Sequence, residues 1–171
     1  MIMQTTVKLY SLSYTESKTY MWAALFVAGN IILPQLCHLI PQGGMILLPI
    51  YFFTLVAAYK FGWKAGLLTA VLSPVVNSAL FGMPALALLP VILVKSSLLA
   101  VFAGLAASRF NKVSLLLLAA VVAAYQLVGG MAEWAISGSL DAALQDFRLG
   151  FPGMLLQIGG GYAVLRYLLK K

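Results

Sequence analysis

The chain has 171 residues, of which 63% are hydrophobic and only 9% charged. A water-soluble domain carries about 25% charged residues, so the composition excludes one and indicates a membrane domain with little chain outside the bilayer. The net charge of +7 is therefore to be read by its location along the chain rather than as a nucleic-acid signal.

Residues 1–19 read as a short polar tail holding Lys8, Glu16 and Lys18. No Asp, Glu, Lys or Arg lies between Lys18 and Lys60. Runs of about 20 apolar residues mark transmembrane helices, and the first covers 20–36. It is too long for a signal-peptide core, and no small-residue cleavage site follows it, so a cleaved leader is not expected. The Pro- and Gly-rich stretch 37–44 reads as a loop. Span 2 covers 45–59 and span 3 covers 65–80, with Pro74 expected to kink the latter. The turn Phe81-Gly82-Met83-Pro84 leads into span 4, 85–108. Span 5 covers 113–136, a loop is expected over 137–150, and span 6 covers 151–168. Residues 20–171 thus form one domain. The expected fold is all-α: a polytopic membrane protein of six transmembrane helices.

Orientation follows from the basic residues. When the sides alternate from the N-terminus, one side receives Lys8, Lys18, Lys60, Lys64, Arg109, Lys112, Arg166, Lys170 and Lys171. The other receives Arg148 with Glu133, Asp141 and Asp146. This bias predicts both termini in the cytoplasm.

One charge departs from the pattern. Lys95 has apolar runs on both sides, and at 1.5 Å per residue it lies roughly 14 Å below the outer end of span 4, near the midplane. A charge there costs about 2.5–3.5 kcal/mol on insertion scales, which makes it a candidate functional residue. Its own face (Leu88, Val91, Leu99, Phe102) suits an apolar pocket holding one cation, and equally a lysine that faces lipid and snorkels. Gln126 lies at a similar depth. Glu133, Gln157 and Asn77 lie closer to the outer side, and His38 is in the first outer loop. Buried polar groups need partners, so their concentration in the outer half suggests a pocket open to the outside. Gln126, Gly129, Gly130 and Glu133 share one face of span 5, and Gly153, Gln157, Gly160 and Gly161 one face of span 6. Small residues there also suit plain helix packing. In span 1, Ala24 and Ala28 stand one turn apart, a small-xxx-small contact face.

Several chemistries lack their residues. No phosphate-binding Gly-x-x-x-x-Gly-Lys-Ser/Thr loop and no His-Glu-x-x-His is present, and Cys37 is the only cysteine. An intramembrane serine protease needs a deep serine–histidine pair, whereas the single His38 is in an outer loop. Neither an enzyme, a cofactor nor a metal is expected.

Three local patterns bear a family resemblance. They are Ile40-Pro41-Gln42-Gly43-Gly44-Met45-Ile46-Leu47-Leu48-Pro49, then Phe61-Gly62-Trp63-Lys64-Ala65-Gly66-Leu67-Leu68 followed by Leu72-Ser73-Pro74, then Phe81-Gly82-Met83-Pro84 with Pro90. In this order and topology the chain resembles the substrate-binding S components of energy-coupling factor (ECF) transporters, the bacterial vitamin importers. The resemblance covers 20–108 and is weaker beyond. It implies six helices, ligand capture from outside by the first loop and helices 4 to 6, and assembly in the bacterial cytoplasmic membrane with a membrane coupling protein (T component) and two cytoplasmic ATPases. It implies that Ala24 and Ala28 contact the coupling protein. Related chains commonly carry an acidic residue near the Lys95 position, so a lysine there argues for an anionic ligand, a carboxylate-bearing vitamin or precursor such as pantothenate. Lys95 would be the counter-ion, Gln126, Glu133, Gln157 and Asn77 would supply hydrogen bonds, and the loop bearing His38 would act as a lid. The rival readings are a structural multi-span scaffold, a membrane enzyme acting through Glu133 or His38, and a channel or carrier that works alone.

Overall fold

The computed structural model describes residues 5–6 and 11–169. Lys8, Lys170 and Lys171, three of the basic residues used for orientation, lie outside them, as do residues 1–4 and 7–10 of the N-terminal tail. Among the described residues eight α-helices follow in order: α1 (Ser17–Cys37), α2 (Gly43–Leu47), α3 (Phe52–Phe61), α4 (Trp63–Phe81), α5 (Leu89–Phe110), α6 (Leu115–Ser137), α7 (Leu140–Arg148) and α8 (Phe151–Leu169). A 3-10 turn, Pro49–Tyr51, joins α2 to α3. Among the described residues the only strand pairing is antiparallel, Thr5–Thr6 (β1) with Lys112–Val113 (β2).

Among the described residues α1, α4, α5 and α6 are long and apolar enough to cross a membrane, and Pro49–Phe61 is a shorter apolar segment. Large apolar side chains such as Ile32, Leu86, Leu116 and Met131 are exposed around the bundle. A surface so apolar needs lipid rather than water, so this is a membrane protein.

Three expectations change. Span 2 is not one helix: Pro49 disfavours helical backbone in the residue before it, and Leu48 takes a left-handed conformation at φ 47°, so the chain turns between α2 and α3. Span 4 becomes helical only at Leu89, leaving Lys95 six residues into α5, about 9 Å from its start. Lys95 is thus about 9 Å rather than roughly 14 Å from the helix start, and still closer to the middle of α5 than to its end. The segment expected to be a loop over 137–150 contains α7. Gly138, at φ 68°, adopts the left-handed geometry that ends α6, and the Ser139 hydroxyl caps α7 by accepting from Ala142 N at 3.2 Å.

Contacts define the two ends of the bundle. At the basic end, Leu12 N donates to Phe61 O, Trp22 stacks on Phe61, and Tyr59 Oη donates to Lys112 O. Lys18, Lys60, Lys64, Arg109 and Lys112 stand close to these groups in sequence. At the opposite end α2 packs on α8 at Gly153 and α7 packs on α6 at Gly130.

The α5 helix is buried on two sides. Gly104, in its small-residue stripe, packs against Trp63 of α4. The Lys95 side faces α6, where Gly129 leaves room for the lysine stem.

Candidate functional site

Lys95 is buried, with 2% of its surface exposed. A charge there needs partners, and two supply them. Lys95 Nζ donates to Glu133 Oε2 of α6 and, at 2.9 Å, to Asp146 Oδ2 of α7. A Cβ on Gly129 would lie 2.6 Å from Lys95 Cγ, so the glycine is what allows the stem to lie along α6. The Lys95 ammonium therefore points inward, and the lipid-facing alternative does not apply.

The cluster forms one wall of a cavity of about 140 Å³. Tyr51, Ile50 and Leu48 line it from the α2–α3 connection, and Leu88, Val91 and Ile92 from the start of α5. Gly44, Met45 and Gln145 close its mouth, where Gln145 Nε2 donates to Met45 Sδ at 2.8 Å. The cover thus has two parts, the α2 loop and α7.

A second polar layer adjoins this one. Gln126 Nε2 donates to Tyr125 Oη at 3.0 Å, and Tyr125 Oη donates to Gln157 Oε1 at 2.9 Å. The Tyr125 ring lies 5.5 Å from that of Tyr51, which joins the layer to the cavity wall. Gln126 Oε1 and Gln157 Nε2 are buried without a partner. These are one acceptor and one donor, the complement that a water or another polar group would satisfy.

The expected site residues therefore divide. Lys95 and Glu133 are in direct contact. Gln126 and Gln157 meet each other through Tyr125, in the layer next to the cavity rather than on its wall. Asn77 belongs elsewhere: its Nδ2 donates to Asn30 O at 2.8 Å and Ser73 O at 3.1 Å. Asn30 in turn donates to Thr54 Oγ1 and Ser73 Oγ and accepts from Phe53 N. This network joins α1, α3 and α4, and within it Asn77 Oδ1 is buried without a partner. His38 is exposed, its ring set against Gly44, and it does not line the cavity. Gly44 and Met45 take the covering position expected of it. Ala24 and Ala28 are both exposed on α1.

Asp146, Tyr51 and Gln145 were not among the expected site residues. Asp146 had a legible signal: Leu140, Leu144 and Phe147 recur at helical spacing behind the cap Ser139, which places an amphipathic helix and its carboxylates against the membrane domain. The chain has four acidic residues, and two of them meet the buried lysine.

The geometry also changes the reading of Lys95 as a free counter-ion. With one lysine and two carboxylates in contact, the cluster carries a formal net charge of −1, so Lys95 is already neutralised from within the chain. No family model matches the chain, and neither does any curated protein or solved structure.

Proposed function

We propose that this chain is the solute-capture subunit of an ECF-type importer in a bacterial cytoplasmic membrane. It takes a small micronutrient, a vitamin or precursor, from outside and passes it across with an ATP-driven partner module. The cavity beneath α2 and α7 carries this reading. It combines an apolar wall with a few convergent polar groups, the usual make-up of a small-molecule site, and its cover comes from the loop and helix that face outward in the proposed topology. In that topology α1, α3 with its preceding turn, α4, α5, α6 and α8 make six crossings with both ends cytoplasmic. The grouping of Lys18, Lys60, Lys64, Arg109 and Lys112 at one end supports it.

The partners follow from the same resemblance: a membrane coupling protein and two cytoplasmic ATPases. Ala24 and Ala28 support that assignment, because they lie on the outside of α1 with Tyr20 and Ile32 and are not used in packing the bundle. Small residues on a free helix face permit close approach by another helix.

A second reading, a structural multi-span scaffold without transport, is favoured by one observation. Lys95 is paired with two carboxylates of the chain itself, as in a purely structural ion cluster. Native mass spectrometry of the gently solubilised protein from its own membrane separates the two. Capture predicts a bound small molecule together with a coupling subunit and two ATPases. Neither a bound molecule nor ATPases would leave the scaffold reading.

A further inference from the structure

We infer that the cavity selects a small organic monocation, a ligand with an ammonium-like group on an apolar body, rather than an anion. This rests on the capture reading above and assigns the ligand chemistry of that site. It follows from the charge count and from which atoms remain free. Lys95 Nζ has three protons, and two are committed to Glu133 Oε2 and Asp146 Oδ2. Glu133 Oε1 and Asp146 Oδ1 receive no hydrogen bond among the described residues, and both side chains keep some exposure, 13% and 19%. Two carboxylate oxygens without a hydrogen bond and one spare lysine proton therefore belong to residues that line the cavity.

An anion approaching that proton would come within reach of both carboxylates, and the net field there repels it. A cation meets the opposite field and finds two acceptors already held in place. Lys95 then positions the two carboxylates. Without it the two carboxylates would repel one another.

The rest of the wall sets the ligand's other half. Leu88, Val91 and Ile92 offer apolar surface, which a hydrated metal ion would leave unused. A cavity of about 140 Å³ lies below the roughly 300–1,000 Å³ of common ligand pockets, so the group bound there is small. It is either a compact ligand or the cationic end of a longer one.

Three probes of matched shape test this on the full chain in nanodiscs: benzylammonium, benzyl alcohol and benzoate, with binding followed by ligand-observed NMR titration. The expected result is benzylammonium bound tighter than benzoate by about tenfold or more, with the alcohol between them. Glu133→Gln and Asp146→Asn each bring the cluster to net zero, and each should draw the ratio towards one. Two single variants are used so that misfolding of either leaves the other to report. A wild-type preference for benzoate, a ratio unmoved by both variants, or no binding of benzylammonium overturns the inference. An anionic molecule found bound in the native mass spectrum overturns the charge assignment while leaving capture intact. The absence of any bound molecule there counts against capture itself.

Discussion

Lys95 Nζ and Asp146 Oδ2 stand 2.9 Å apart, and that ion pair ties α7 to the transmembrane helix α5 across 51 positions of sequence. Otherwise α7 is held by modest contacts. Ala143 is its one buried residue, and its remaining ion pair, Arg148 with Asp141, is intrahelical and exposed, a kind that contributes little. Asp146→Asn should therefore loosen α7 selectively. The expected cost is about 1–2 kcal/mol, below the 3–5 kcal/mol of a fully buried pair, because Asp146 keeps 19% exposure. Hydrogen exchange of amides 140–148 should speed up while those of α4 stay unchanged. Uniform acceleration across the bundle would show that the pair does more than hold α7.

Gly129 and Gly159 form a contrasting pair. A Cβ at Gly129 would press on the Lys95 stem at 2.6 Å, whereas one at Gly159 meets nothing within 4 Å. Gly129→Ala should destabilise by about 1–3 kcal/mol through overpacking and disturb the ion cluster. Gly159→Ala should be neutral or stabilising by up to about 1 kcal/mol through helix propensity. Thermal unfolding of the two variants in detergent checks the order, and equal melting temperatures would refute the close approach of α5 and α6.

The spans were legible because apolar run length is a one-dimensional signal: α1, α4, α5 and α6 fall within a few residues of their expected bounds. The direction of Lys95 was not, for a physical reason. Helix α5 is packed on both sides, so neither its small-residue stripe nor its large apolar face marks the lipid side. The partners of Asn77 were not legible because depth along a helix does not fix rotation about it, and its amide turns towards Asn30 and Ser73. Asp146 was missed because Gly138 and Ser139 read as loop residues, although one ends α6 and the other caps α7.

The Asn30 network yields a prediction that separates stability from binding. Asn30 is fully buried, and its amide donates to Thr54 and Ser73 and accepts from Phe53 N. Asn30→Ala strands these groups, at about 1–3 kcal/mol for each buried group left unsatisfied. The protein should melt markedly earlier, while the folded fraction binds its ligand with unchanged affinity, since none of these residues lines the cavity. A change of affinity per folded molecule would place the network in the binding machinery.

Ala24 and Ala28 test the proposed assembly. Both are exposed on α1, so bulk added there meets lipid in the isolated protein. Ala24→Leu and Ala28→Leu should shift stability by no more than about 0.5 kcal/mol, as surface substitutions do. At an interface where a partner helix approaches closely, the same side chains hold the backbones apart. The expected pattern is an unchanged melting temperature and ligand affinity, together with loss of the coupling protein and ATPases on co-purification and loss of uptake in cells. Full uptake and an intact complex in the double variant would remove this face of α1 from the assembly and leave the coupling surface to be sought on another helix.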